Sequence, residues 1–268
     1  MANRYNGGLI GKQNPKIGST DGTHGGIVSL NYVHNTQDDE ERWSQFEASG
    51  RALWSGGLTS VNVNTIDYIE IATTSDATDF GDLTIARRDL GATTNGGSAY
   101  IGGGYTSSNQ TQIDEVAIST PGNASGFGQL SVARRGLDAL TNTSRGVWGG
   151  GFDANNSNVM DYITFASAGN ATDFGNLTVA RQSIAAVTNN SRGVFGGGFS
   201  AINTMDYITI SSTGNATDFG DLTVARGHAG GTEGGGRGVF AGGYVALNTM
   251  DYITIASTGN ATDFGEVT

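Results

Sequence analysis

The chain lacks cysteine entirely, and it has only two prolines and few basic residues. The missing cysteine excludes disulfides, thiolate metal ligands and a cysteine nucleophile, so stability must come from packing. Fourteen basic residues against 25 acidic ones give a net charge of -11, which argues against a nucleic-acid partner and an anionic membrane surface. No apolar run approaches the roughly 20 residues of a membrane span, and the N-terminus lacks the layout of a secretory signal. We therefore expect a soluble protein without membrane insertion.

What the sequence does contain is one unit written five times. The segment that begins at Arg145 nearly repeats in the segment that begins at Arg192, and one aspartate and one phenylalanine recur in every unit. The aspartates are Asp67, Asp114, Asp161, Asp206 and Asp251, and the phenylalanines are Phe80, Phe127, Phe174, Phe219 and Phe264. Both series step by 47, 47, 45 and 45 residues. Such a period indicates stacked supersecondary units.

Each unit carries four short apolar runs that alternate with turn-forming segments. In the fourth unit these runs are IAAV from Ile184, RGVF before Gly196, MDYITI from Met205 and LTVAR, which ends at Arg226. Their length and their β-branched and aromatic residues favour strands, and no helical periodicity is sustained anywhere. One small antiparallel sheet cannot bury both of its faces unless it packs against copies of itself. Radial stacking of such sheets predicts an all-β protein, a β-propeller.

Glycine triplets follow the second run of the middle units, at Gly102, Gly149 and Gly196, with shortened versions at Gly56 and Gly242. Strands that crowd near a central axis favour glycine, because side chains would collide there. A bulge or turn in each strand is the alternative explanation.

These elements resemble the kelch repeat of β-propellers. The resemblance rests on VFGGGF, the loop SAINT, the strand MDYITI, Phe219 and the terminal Arg226, and it covers residues from about 41 to 268. The chain departs from the kelch pattern in carrying Phe where those units usually carry Trp. We therefore predict residues 1–40 as an N-terminal arm and residues 41–268 as a five-bladed kelch-like propeller.

The two ends of the repeat array are less regular than its middle. The arginine that ends each unit, seen at Arg87 and Arg134, is replaced one period earlier by Glu40. The opening strand of the first unit, near RWSQFEASG, is therefore divergent. We expect the ring to close without a long split blade, since closure removes edge strands.

The motifs nominate no catalytic site. DFG is the metal-binding triplet of protein kinases, but here it repeats, one copy is GFG, and no catalytic loop accompanies it. His24, His34 and His228 lie outside any repeated set of acid, base and nucleophile. We expect no enzymatic activity and no cofactor.

Two repeated charged series have both functional and structural interpretations. Asp161, Asp206 and Asp251 would suit a cation near the axis, but no contiguous calcium loop is present, and turn capping or pairing with arginine is the favoured alternative. The arginines are either a basic ring for an acidic glycan or polypeptide, or bridges from blade to blade, which we favour. One series closes the units at Arg87, Arg134, Arg181 and Arg226, and the other comprises Arg145, Arg192 and Arg237.

The loops after the glycine triplets differ most between units. Function in a propeller usually resides in such variable loops, because the scaffold frees them from packing. Their amides, hydroxyls and aromatic rings suit sugar binding, although the same residues are good loop formers. The candidate ligand-binding residues are Asn64, Tyr105, Asn109, Asn155, Asn203 and Asn248.

The opening segment NGGLIGKQNP resembles the N-termini of bacteriophage structural proteins, in which a short leader precedes diverse repeat domains. The resemblance implies a virion component with Gly7 to Pro15 as the attachment segment. The residues that we assign to the anchoring arm are Tyr5, Gly7, Gly8, Leu9, Ile10, Asn14 and Pro15.

These observations lead to one functional expectation and two rivals. We expect a phage tail- or baseplate-associated fibre protein or adhesin, made in the host cytoplasm and present in multiple copies in the virion. Its partners would be other virion proteins, through the arm, and a host-surface glycan or protein. The rivals are a capsid or tail cement protein without receptor binding, and a non-viral lectin or carbohydrate-active propeller.

Overall fold

The computed structural model describes residues 50–200, 202–244 and 248–267. Over these residues every regular element is a β-strand. The described part of the chain therefore contains no helix that could cross a membrane. The chain divides into two compact units. Of the first unit, the structure describes residues 50–52 and 69–76, where Arg51 Nε donates to Glu70 Oε1 at 2.7 Å and the Ile71 N–H donates to the Gly50 carbonyl.

The described residues form five antiparallel sheets arranged as a five-bladed β-propeller, and the second unit, residues 53–68 and 77–268, contains these sheets apart from residues 51–52 and 69–70 at the ends of two strands. Blade 1 comprises β1 (Arg51–Leu58), β2 (Asn62–Glu70) and β3 (Thr78–Asp82). Blade 2 comprises β4 (Gly91–Thr94), β5 (Ser98–Gly102), β6 (Gln112–Ala117) and β7 (Ser125–Gln129). Blade 3 comprises β8 (Asp138–Thr141), β9 (Arg145–Gly149), β10 (Val159–Thr164) and β11 (Thr172–Asn176). Blade 4 comprises β12 (Ala185–Thr188), β13 (Arg192–Gly198), β14 (Ile202–Thr209) and β15 (Thr217–Asp221), and blade 5 comprises β16 (Gly230–Gly234), β17 (Arg237–Ala241), β18 (Thr249–Thr254) and β19 (Thr262–Glu266).

The strands of each blade pair in chain order, and the first strands of neighbouring blades, β4, β8, β12 and β16, contact one another along the axis. The all-β five-bladed fold predicted from the repeats is thus confirmed. The opening strand predicted near RWSQFEASG and the arm, residues 1–40, lie outside the described residues.

The position of the fourth strand was predicted wrongly. That strand is TDFGD, residues 217–221 in blade 4, whereas LTVAR is the linker that follows it. Leu222 is buried in the interface between blades, and the next residue, Thr223, bonds through its backbone and side chain to Asp251 in blade 5. The chain therefore leaves its own sheet at this point. The β-branched composition of LTVAR suited a strand, but tertiary contacts override such a propensity.

The hydrophobic core consists of clusters between successive blades. In one of them, Phe174 and Leu177 of blade 3 pack with Phe195 of blade 4. The repeated phenylalanine is buried in blades 1 to 4, as an inter-blade plug should be, but Phe264 in blade 5 is 51% exposed. The following blade covers each of the four buried rings, and the described residues place no blade over Phe264. Trp54 in β1 is likewise 56% exposed, so closure between the fifth and first blades stays a prediction.

The glycine triplets are crowded, but by the neighbouring blade. A Cβ on Gly149 would lie 2.8 Å from the ring of Phe195, and one on Gly196 would lie 2.9 Å from the ring of Phe240. The next glycine, Gly197, has a φ of +70°, which side chains disfavour, and the β13–β14 register shifts there. The crowding thus comes from the neighbouring blade and not from the central axis that the sequence suggested, and the bulge offered as the alternative is present as well.

Candidate functional site

Each of the four arginines that end a repeat forms a buried ion pair with the repeated aspartate of the following blade. Both side chains of every pair are 0% exposed. The pairs are Arg87 with Asp114 at 3.2 Å, Arg134 with Asp161 at 2.6 Å, Arg181 with Asp206 at 2.9 Å, and Arg226 with Asp251. The aspartate of each pair lies at a register shift between the last two strands of its blade. This irregularity lets the aspartate side chain turn toward the linker arginine.

The surroundings of these ion pairs indicate a structural role. Burial lowers the pKa of Arg87 and of Arg181, and the facing carboxylate opposes that shift. Arg134 also donates to the Trp148 carbonyl, and Asp161 accepts from the Ser131 hydroxyl at 2.5 Å. Because a charge sealed between blades cannot meet an external ligand, this series provides no basic ring for an acidic partner. The aspartates face arginine, and the described residues contain no group of three potential metal-binding side chains.

The second arginine series also links blades. Arg145 in blade 3 donates to the Ile210 and Ser211 carbonyls in blade 4, and Arg192 repeats these bonds one blade further on. Each arginine of this series lies over a tyrosine of its own blade, and the pairs are Arg145 with Tyr162, Arg192 with Tyr207 and Arg237 with Tyr252, at 4.3 to 4.6 Å. The contacts of Arg145 and Arg192 match the structural interpretation of this series.

We use the term loop face for the side of the propeller that carries the loops after the glycine-rich strands. On this face, the residue after each repeat-ending arginine forms backbone hydrogen bonds with the aromatic residue that opens the loop. Arg88 exchanges two such bonds with Tyr105, and Arg135 exchanges two with Phe152. In the next blade the Phe199 N–H donates to the Gln182 carbonyl at 2.8 Å. A row of aromatic rings is thereby held in register around the loop face.

A chain of backbone hydrogen bonds forms the rim of a cavity on the loop face. The Gly136 N–H donates to Asp89, the Ser183 N–H to Gly136, and the His228 N–H to Ser183, at 2.6 to 2.9 Å. All four rim residues have φ between 54° and 62°, a conformation that is uncommon for the three that carry side chains, Asp89, Ser183 and His228. Strained backbone of this kind is frequent at binding sites.

This cavity, the loop-face pocket, has a volume of about 480 Å³. Its polar lining comes from Asp89, Arg135, Gln182, Ser183 and His228, and its apolar lining includes Phe199, which is 40% exposed. The volume falls within the roughly 300–1,000 Å³ of small-ligand sites. A partly exposed ring beside amide and hydroxyl groups can bind a molecule that has one apolar face and a polar edge.

None of the six ligand-binding candidates from the sequence lines this pocket. The Asn109 amide donates to the Phe152 and Asp153 carbonyls of the next blade, both at 2.9 Å, so it fastens two loops together. Tyr105 is contacted by the guanidinium groups of Arg88 and Arg135. Asn155 is exposed, and its backbone N–H donates to the Asp153 carboxylate within the loop turn.

The three remaining candidates occupy one repeat position. The backbone carbonyls of Asn64, Asn203 and Asn248 accept hydrogen bonds from the residue after the last strand of the same blade. The Asn248 amide also donates to Glu266 Oε2 at 2.9 Å. A ligand-binding role for these residues stays a prediction.

The first strands of blades 2 to 5 enclose a second, narrower cavity of about 240 Å³, the axial channel. Both carboxylate oxygens of Asp138 accept backbone N–H bonds, from Ala139 and from Ala186, at 2.8 Å. Burial, with a smaller contribution from the charge of Glu233, raises the pKa of Asp138 to about 7 against the lowering effect of these two bonds. Burial also raises the pKa of Glu233. Because both of its carboxylate oxygens already accept backbone hydrogen bonds, Asp138 links blade 3 to blade 4.

The residues of the loop-face pocket were missed because they do not form a sequence motif. Arg135, Ser183 and His228 lie in three different linkers, Arg135 one residue after a repeat-ending arginine and Ser183 and His228 two residues after one. The available signal was the variation from Arg88 and Arg135 to Gln182 at a single repeat position. Variation within an otherwise regular scaffold is typical of a functional surface.

The segment assigned to virion attachment, Gly7 to Pro15, lies outside the described residues, as does all of residues 1–49. No protein-family model matches the chain, and no curated protein sequence matches it.

Proposed function

We propose that this chain is a bacteriophage virion structural protein, tail- or baseplate-associated, whose propeller contacts a glycan on the host surface through the loop-face pocket. The arm, residues 1–40, attaches the protein to other virion components, and the protein is present in many copies. The observation that carries the contact role is the pocket itself. It combines the exposed ring of Phe199 with polar groups from four linkers.

The chemistry of the pocket suits a sugar better than an apolar ligand. A pyranose has an apolar face, which stacks on an aromatic ring, and hydroxyl groups, which exchange hydrogen bonds with amides and hydroxyls. Phe199 offers such a ring, and Gln182 and Ser183 offer amide and hydroxyl groups beside it. The repeated arginines are engaged in contacts within and between blades, so the variable linker residues remain for ligand recognition.

The attachment role rests on the resemblance of the segment NGGLIGKQNP to phage structural proteins. Deletion of residues 1–40 is expected to abolish incorporation into particles, because the attachment segment is lost, while the propeller retains its β-sheet circular dichroism. Incorporation of the truncated protein at the level of the full chain would refute the anchor.

The contact role is tested on an array of host surface polysaccharides with the full chain. Phe199→Ala is expected to weaken binding by about tenfold or more, because stacking on an aromatic ring contributes roughly 0.5–1.5 kcal/mol beyond the area that it buries. Phe264→Ala is the matched control, since Phe264 has comparable exposure but lies on β19, away from the residues that line the pocket. An intact propeller that binds no glycan would overturn the contact role and leave the attachment role standing.

A further inference from the structure

Arg135 differs from the other arginines of the propeller in how its guanidinium is placed. The group lies between two rings of the loop face, 4.6 Å from the Tyr105 centroid and 4.9 Å from the Phe152 centroid. Two backbone hydrogen bonds to Phe152, at 3.1 and 2.7 Å, hold the residue in this position. Arg135 also lines the loop-face pocket. A cation that is positioned in this way is oriented before any ligand arrives.

The hydrogen-bonding capacity of this guanidinium is not used within the described residues. Stacking on aromatic rings engages the flat faces of the group and leaves its in-plane N–H donors available. The neighbouring repeat shows the contrast, because Arg88 donates to Asn62 Oδ1 at 3.2 Å and pairs with Asp89 at 3.4 Å. Among the described residues, the side chain of Arg135 has ring contacts and no carboxylate or carbonyl partner.

The charges around the pocket favour an anion at Arg135. The carboxylate of Asp89 also lines the pocket, but it faces Arg88, which offsets its charge. Arg135 therefore leaves the mouth locally positive in a chain whose net charge is -11. A guanidinium fork matches a planar carboxylate with two parallel hydrogen bonds, which are stronger than bonds between neutral groups.

We propose that the loop-face pocket takes a carboxylated sugar, a uronic or nonulosonic acid, whose carboxylate is bound by Arg135 while its ring stacks on Phe199. This inference rests on the proposed glycan contact and specifies the class of sugar. Gln182, Ser183 and His228 are placed on the remaining lining to exchange hydrogen bonds with the hydroxyl groups.

The test is calorimetric titration of the full chain with matched sugars. The probes are methyl glycosides of glucuronic acid, galacturonic acid and N-acetylneuraminic acid, each beside its methyl ester, which has the same shape without the charge. At least one acid is expected to bind about tenfold or more tightly than its ester, since a hydrogen bond to a charged group is stronger than one to a neutral group. This preference should weaken as the salt concentration rises.

Two variants that remove the same charge locate the effect. Arg135→Gln is expected to abolish the preference for acid over ester, whereas Arg237→Gln should retain it, because Arg237 lies over the Tyr252 ring and does not line the pocket. Arg135→Lys keeps the charge without the fork and should fall between Arg135→Gln and the parent. Each variant is first matched to the parent in its thermal unfolding midpoint, and Arg135→Lys serves if Arg135→Gln unfolds.

The outcomes separate the two proposals. Equal affinity for acids and esters would overturn the assignment of a carboxylated sugar while the glycan contact stands. Equal loss of the preference in Arg237→Gln and Arg135→Gln would overturn the specific role of Arg135. Absence of binding to every sugar on the polysaccharide array would overturn the glycan contact, and this inference with it.

Discussion

Replacement of Asp161 by asparagine tests whether the buried ion pairs hold the blades together. The Asp161 carboxylate lies 2.6 Å from Arg134 Nη1, and both side chains are 0% exposed. The remaining acceptors of this guanidinium are more distant, since the Trp148 and Val132 carbonyls lie 3.4 and 3.5 Å away. Asp161→Asn therefore leaves a buried cation opposite a neutral amide, and it removes an acceptor from Ser131.

The expected cost follows from this burial. Removal of one partner from a buried pair costs about 3–5 kcal/mol, because the other charge stays uncompensated. In a domain of this size about 1 kcal/mol lowers the unfolding midpoint by roughly 2–4 °C. Asp161→Asn is thus expected to lower the midpoint by about 10 °C, as measured by differential scanning calorimetry and urea titration.

Two controls distinguish the pair from its surroundings. Asp67 occupies the same repeat position in blade 1 but is partly exposed, so Asp67→Asn should cost less than about 1 kcal/mol. The double replacement Arg134→Met with Asp161→Leu removes both charges and should cost less than Asp161→Asn alone. An Asp161→Asn protein whose stability stays within about 1 kcal/mol of the parent, or a double replacement as costly as the single one, would show that the ion pair does not hold the blades together.

Two further predictions concern the axial channel and the blade interface. The pKa of Asp138 is raised from 3.8 to about 7, so the folded state binds the extra proton, and stability is lost as the pH rises through this window. Relative to Asp138→Asn, the free energy of unfolding should fall by at most about 4 kcal/mol between about pH 4 and pH 8 in urea titrations, and a pH-independent difference would contradict this. Gly149→Ala places a Cβ 2.8 Å from the buried ring of Phe195 and should cost about 1–3 kcal/mol. Gly169→Ala, which meets nothing within 4 Å, should be nearly neutral, and equal effects of the two glycine replacements on the urea midpoint would count against close packing there.

Regular repetition made the scaffold predictable. A residue type that returns every 45 to 47 positions must meet the same neighbours in each blade, so one unit suffices to infer five sheets and the plug role of Phe174. The same logic failed at Phe264, because its environment depends on what lies beyond blade 5. It also failed for LTVAR, whose strand-like composition serves a linker that crosses to the next blade.

The sequence placed the candidate ligand-binding residues on the loops after the glycine triplets, whereas the loop-face pocket is lined mainly by the linkers between blades. Asn109 has a side chain suited to binding a sugar, but its amide already donates hydrogen bonds to carbonyl groups of the next loop. The Tyr105 ring is engaged by two guanidinium groups. Whether a loop side chain is available to a ligand depends on distances between blades, and these distances cannot be read from composition or from the spacing of residues.

The amino-acid sequence by itself determined the number of blades, their all-β character and the recurrence of arginine and aspartate, because each of these is a local property multiplied by repetition. Only the tertiary structure decided that Arg134 and Asp161 are sealed together, and that Arg135, Ser183, Phe199 and His228 share one cavity. Those residues belong to different blades and approach one another because the linkers converge around the axis. A periodic sequence specifies the residues that every blade has in common. The packing of the blades decides which of the residues that differ between repeats come into contact.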